Sequence, residues 1–123
     1  MVDRFDLSGK RALITGGGRG LGREMAQAFA EHGADVIIAS RKLDVLEQTA
    51  AEIAEATGRT IRAKACHVGE WEQVSRLADE VYAEFGRVDV LVNNAGMSPL
   101  YESLSAVTED LWRKVIDVNL TGP

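Results

Sequence analysis

Apolar residues along this chain fall into two alternating kinds of pattern. Arg11-Ala-Leu-Ile-Thr15 is a short run, mostly apolar, that ends in glycines. That is the form of a parallel strand buried on both faces rather than of an alternating, half-exposed one. From Gly20 to His32 the apolar residues Leu21, Met25, Ala28 and Phe29 recur at helical spacing, and Gly33 sits where a helix C-cap belongs. Asp35-Val-Ile-Ile-Ala-Ser40 predicts a second buried strand. The helix after it carries the stripe Leu43, Leu46, Ala50, Ile53 and Ala54 and closes at Gly58. Thr60 to Ala65 reads as a third, more polar strand; the next helix carries Val74, Leu77, Ala78, Val81 and Phe85 and stops at Gly86; Val88 to Asn93 is a fourth strand.

Short apolar strands alternating with amphipathic helices imply repeated right-handed crossovers, and so a parallel sheet covered on both faces. The predicted class is α/β, with strand order 3-2-1-4. Thr108 is placed to cap a last helix with Glu109 and Asp110 in its first turn and Leu111, Val115 and Val118 on one side. No linker, low-complexity tract or short repeat divides residues 1–123, so one domain is expected. The amphipathic pattern is still running at Pro123, and a sheet ending at the fourth strand leaves an apolar edge uncovered. These features predict an architecture incomplete at its C-terminus and a longer parent polypeptide.

The 46% apolar fraction is enough for a real core. No run approaches the roughly 20 apolar residues of a membrane span, and Met-Val-Asp-Arg-Phe-Asp at the N-terminus lacks the layout of a signal peptide; a cytoplasmic location with no membrane partner is expected. Cys66 is the single cysteine, and with His32 and His67 it makes no metal-ligand spacing, so no metal is expected. A net charge of -5 disfavours nucleic acid, whose binding needs a basic face, and points to a small molecule instead.

The first strand runs directly into Thr15-Gly-Gly-Gly-Arg-Gly-Leu-Gly22 and then into a helix, the context a phosphate cradle requires. Glycine lets a pyrophosphate approach the backbone N–H groups, and the helix N-terminus adds roughly half a positive charge. A P-loop would need a Lys after its last glycine, but Gly22 is followed by Arg23; G-x-G-x-x-G is absent too. The pattern that fits is T-G-x-x-x-G-x-G, on Thr15, Gly16, Gly20 and Gly22, which places Gly16, Gly18, Arg19, Gly20 and Leu21 against a bound dinucleotide.

About 20 residues beyond the glycines, where such a fold meets the adenosine ribose, an acid would hold the hydroxyls of NAD. This chain has Ser40, then Arg41 and Lys42. Arg41 and Arg19 make a cationic pocket in an acidic molecule, the pattern expected for the 2′-phosphate of NADP(H). NAD(H) stays open, since Arg41 and Lys42 also suit a solvated helix start. Asn93-Asn-Ala-Gly96 follows the fourth strand, and in the order 3-2-1-4 it faces the same crevice as the glycine turn.

Thr15-Gly16-xxx-Gly20-x-Gly22, Asn93-Asn94-Ala95-Gly96 and Asp117-Val118-Asn119 stand in the order and spacing of the short-chain dehydrogenase/reductase family, which the whole chain resembles. The resemblance implies a Rossmann-type doubly wound sheet and hydride transfer between a nicotinamide and a small-molecule alcohol or carbonyl substrate. It also implies a homo-oligomer, dimer or tetramer, at full length. It assigns Asn94, Ala95 and Gly96 to the cofactor site and Asn119 to the catalytic tetrad, where the family's asparagine holds a water in a proton relay. A polar helix residue or a sequon with Thr121 is the other reading of Asn119.

Two departures stand out. Where many relatives carry an Asp against the adenine amino group, this chain has Cys66-His67-Val68, so an adenine contact falls to His67 and Val68. The family's Ser and Tyr-x-x-x-Lys follow a fifth strand beyond Pro123, and neither Tyr82 nor Tyr101 has a Lys four residues on. The 123 residues alone are therefore expected to be inactive. The rivals are a dinucleotide-binding module without activity and an S-adenosylmethionine methyltransferase, the latter disfavoured by Ser40-Arg41 where an acid is wanted.

Overall fold

The computed structural model describes residues 2–123. Four parallel strands, β1 (Arg11–Thr15), β2 (Asp35–Ser40), β3 (Ile61–Ala65) and β4 (Val90–Val92), form one sheet in the order β3-β2-β1-β4. Between them run α1 (Gly20–Glu31), α2 (Leu43–Thr57) and α3 (Trp71–Phe85). A 3-10 turn at Leu104–Ala106 leads to α4 (Glu109–Ile116), which widens into a π-helical turn at Asp117–Thr121. The fourth strand is shorter than its apolar run, because only Val90, Leu91 and Val92 pair with Ala12, Leu13 and Ile14.

Strand order follows from handedness. Two right-handed crossovers carry the chain from β1 through α1 to β2 and through α2 to β3, both on one face; α3 then returns it across the opposite face to pair β4 with the free side of β1. The order therefore reverses between β1 and β4, which opens a crevice at their carboxyl ends. Ile14, Val36 and Ile38 pack under α1 and α2 with Ala26, Ala30, Leu46, Ala50 and Ile53. Leu13, Ile37 and Ala39 point the other way, onto Leu77 and Val81 of α3.

The helix phases depart from the apolar stripes in one instructive way. Leu21 is 77% exposed and Ala28 is exposed, whereas α1 buries Gly22, Ala26 and Ala30, with Met25 and Phe29 partly covered. Small residues at i, i+4 and i+8 let the helix axis lie close to the sheet, so the contact stripe is set by size rather than by hydrophobicity. Leu43 in α2 and Ala78 in α3 are likewise exposed, and buried Thr49 joins the inner face of α2. Thr108 caps α4 as expected, accepting the Leu111 N–H at 3.1 Å.

Candidate functional site

The crevice is organised around Thr15. Its hydroxyl accepts the N–H groups of Asn94 at 3.1 Å and Ala95 at 3.0 Å, and the Asn94 side-chain amide donates to the carbonyls of Thr15 and Gly16 at 3.1 and 3.2 Å. The end of β4 is thereby fastened to the start of the glycine turn. Gly16, Asn94 and Ala95 are brought together as the strand order predicts, and Thr15 is the hinge pin between them.

On its outer side the turn exposes the backbone of Gly20 and the side chain of Arg19. Gly16 and Gly20 have left-handed φ of 68° and 57°, where an L side chain is strained, and open space surrounds the direction a Gly20 Cβ would take. A Cβ on Gly22 would collide with the Gly16 carbonyl, so the helix can close on the turn only with glycine there. On the inner side, a Cβ on Gly17 would meet Ile38 Cβ at 2.6 Å, and one on Gly18 would meet Leu46 Cδ2 at 3.3 Å. A cradle open outward and packed inward fits a pyrophosphate approaching from solvent.

The starts of α1 and α4 differ. At α4, Thr108 caps the N-terminus and Glu109 and Asp110 lie in its first turn. At α1, Arg19 holds the cap position in extended backbone (φ -160°, ψ 170°), with no side-chain cap bond and no acid in the first turn. Among the described residues, the positive end of the α1 dipole thus has neither a capping side chain nor an acid in the first turn.

Side-chain charge is distributed in the same sense. Arg23 is bound to Glu52 at 2.5 Å, and that bond holds the Glu52 carboxyl below its usual range. Ion pairs among the described residues also engage Arg59, Arg62, Lys64, Arg87 and Arg113, but neither Arg19 nor Arg41. Both are exposed, one in the glycine turn and one just after β2, where Ser40 ends the strand.

His67 and Val68 lie in the loop after β3. The His67 N–H donates to Gln73 Oε1 at 2.8 Å, and Nδ1 accepts the Gly69 N–H at 3.0 Å. An accepting Nδ1 puts the ring proton of the neutral form on Nε2, which is left to meet a ligand. Val68 has a second use, since its carbonyl lies where a Cβ on Gly122 would go. Cys66 is buried and burial pushes its thiol up, away from nucleophilic chemistry.

Asn119 sits in the π-helical turn and clamps one residue of the segment after β4. Met97 N–H donates to Asn119 Oδ1 and Asn119 Nδ2 donates to the Met97 carbonyl, both at 2.8 Å. A Cβ on Gly96 would touch Oδ1 at 3.4 Å. Each polar atom of the amide retains capacity for one further bond. Sequence reasoning missed the backbone of Met97, for which there is no side-chain signal, and Thr49, whose signal was a polar residue between the apolar positions Leu46, Ala50 and Ile53 of α2.

A glycine turn, an unpartnered helix start and a switch-point crevice define a dinucleotide-binding α/β fold. The sequence profile of the short chain dehydrogenase family matches residues 10–123, and the chain belongs to that family. It is 36% identical over 123 residues to dehydrogenase/reductase SDR family member 4 of Pongo abelii, covering all of this chain and 44% of that protein. Among solved structures, L-sorbose reductase from Gluconobacter frateurii complexed with NADPH and L-sorbose superposes with a TM-score of 0.91 at 30% identity, over 96% of this chain and 44% of that one. A metagenomic short-chain oxidoreductase in complex with NADP gives 0.91 at 35% identity, over 96% and 53%. The chain thus spans about half the length of these relatives.

Proposed function

We propose that this chain is the nucleotide-binding part of an NADP(H)-dependent oxidoreductase that interconverts a secondary alcohol and a ketone. The observation that carries this reading is that Arg19, at the uncapped start of α1, and Arg41, directly after Ser40 at the end of β2, are both exposed and make no ion pair among the described residues. NADP(H) in two structural neighbours supports it. The backbone from Gly16 to Leu21 would hold the pyrophosphate, Arg19, Ser40 and Arg41 the 2′-phosphate, His67 and Val68 the adenine, and Asn94, Ala95 and Gly96 the nicotinamide half. When bound, the nicotinamide supplies hydride to, or takes it from, the carbon bearing the substrate oxygen.

Asn119 would hold a relay water with the bonding capacity that Met97 leaves it. The general acid for the substrate oxygen, a Tyr in the family, is not among residues 1–123, and proton transfer needs such a group within hydrogen-bond reach. The same reading places the protein in the cytoplasm as a homo-oligomer at full length.

Equilibrium binding of NADPH and NADH tests cofactor choice. A charge-assisted hydrogen bond contributes about 1.5–3 kcal/mol and each 1.4 kcal/mol is tenfold, so two arginines give a preference on the order of a hundredfold. Arg41→Ala should weaken NADPH roughly tenfold and leave NADH nearly unchanged. Ser40→Asp should go further, because a carboxylate repels the phosphate and offers acceptors to a bare ribose. Equal wild-type affinities would refute the assignment. Steady NADPH oxidation by residues 1–123 alone would refute the need for a longer chain.

A further inference from the structure

Thr49 is 2% exposed on the inner face of α2, and its hydroxyl donates to the carbonyl of Gly18 at 2.9 Å, across 31 positions of sequence. A helical threonine commonly returns its hydroxyl to the carbonyl one turn back, as Thr57 does to Ile53 at 2.7 Å. Thr49 instead reaches out of its own helix into the glycine turn. There it meets the residue immediately before Arg19, in a segment whose glycines have no side chains of their own to fix it. Burying a hydroxyl is unfavourable unless it is bonded, and this bond satisfies the Gly18 carbonyl at the same time.

The placement joins two loops that come from different crossovers. Arg41 precedes α2, whose N-cap is Lys42, while Thr49 lies about two turns into the same helix. Gly18 is seated on that helix, where a Cβ would meet Leu46 Cδ2 at 3.3 Å and Val45 Cγ1 at 3.4 Å, and Arg19 follows it directly. We infer that Thr49 is a positioning residue for cofactor selectivity: by gripping Gly18, its hydroxyl holds Arg19 at a fixed place relative to Arg41, so that both meet one 2′-phosphate. This rests on the NADP(H) reading above and names what would make the two arginines act together.

The test compares NADPH and NADH binding by the full-length protein carrying Thr49, Thr49→Val or Thr49→Ser. Thr49→Val keeps the shape and removes the donor; it should lower NADPH affinity roughly tenfold and change NADH affinity by less than about twofold. Thr49→Ser keeps the donor and loses a methyl, so it should melt at a lower temperature and retain the wild-type NADPH-to-NADH ratio. Equal weakening of both cofactors by Thr49→Val would assign Thr49 to packing alone and overturn the inference. So would a ratio that falls in Thr49→Ser along with its stability, which keeps the test decisive if the valine variant does not fold. A wild type that binds both cofactors equally removes the NADP(H) reading itself, and the inference with it, a result distinct from a selective wild type whose ratio Thr49→Val leaves intact.

Discussion

On the face of the sheet carrying α1 and α2, Ala26 and Ala30 bring one helix close, Leu46, Ala50 and Ile53 fill beneath the other, and Ile14, Val36 and Ile38 are removed from water. On the face carrying α3 and α4, Leu77 and Val81 cover Leu13, Ile37 and Ala39, while Leu91 stays 55% exposed, Tyr82 is exposed and α4 buries no residue. The glycine turn is welded to the first face through Ile38, Leu46 and Thr49. Asn119 belongs to the second, held by Met97 and by the fit of Gly122 on Val68. The glycine turn and Asn119 therefore belong to opposite sides of one sheet, and only the first side is tightly closed within these residues.

Cutting the same kind of side chain on each face should break or confirm that contrast most clearly. Ile38 is fully buried, so Ile38→Ala should destabilise by about 2–5 kcal/mol, through lost transfer energy and the cavity left behind. Leu91→Ala should fall within about 0.5 kcal/mol of wild type, because half its surface already meets water. Urea unfolding of the two variants checks this, and equal losses would show that the second face is as closed as the first.

A smaller effect is expected where α4 meets the loop after β3. An alanine at Gly122 would drive its Cβ into the Val68 carbonyl, and the helix must move to relieve it. The loss should be about 1–3 kcal/mol, as for other overpacked contacts. Amide hydrogen exchange should speed up at Asp117–Thr121 and stay unchanged in α1 and α2. Faster exchange across both faces would mean that the two sides are coupled more tightly than their packing suggests.

Much of this was legible in the chain because it depends on local pattern. The buried runs ending at Thr15 and Ser40 and the glycines at or next to the ends of α1, α2 and α3 were enough to order the strands, and the order alone put Gly16 opposite Asn94. The phase of α1 was not legible, since Leu21 outweighs Gly22 on any scale of hydrophobicity while close approach to the sheet selects the smaller residue. The clamp on Met97 was not legible either, because its partner is backbone and one end is a side chain 22 residues away. Long-range bonds of this kind follow from topology and leave no periodic trace.

The smallest expected difference is in acid sensitivity. On the α3 side, Lys64 donates to Glu84 at 2.8 Å with Arg62 beside it at 2.9 Å, and Asp89 at the foot of β4 accepts the Arg11 N–H at 2.9 Å with Arg87 adjacent. The Lys64 bond, then Arg62, holds the Glu84 carboxyl below its usual range; the Arg11 bond does the same for Asp89. On the α1/α2 side the matching group is Glu52, paired with Arg23. A carboxyl whose folded pKa is depressed contributes stability above its unfolded pKa and loses it as the pH falls through the folded value. All three contributions are thus complete at neutral pH and decline below about pH 4, the ordinary carboxylate range. All three pairs are solvent-screened, so each effect is slight. With two of them tying α3 and β4 to the sheet, acid should loosen that side first. Glu84→Gln and Asp89→Asn should each flatten the fall in unfolding free energy between neutral pH and pH 3, measured by urea titration at fixed salt, and amide exchange at pH 3 should rise in α3 before α1. An acid slope unaffected by either substitution would remove electrostatics from the difference between the faces and leave packing as its sole cause.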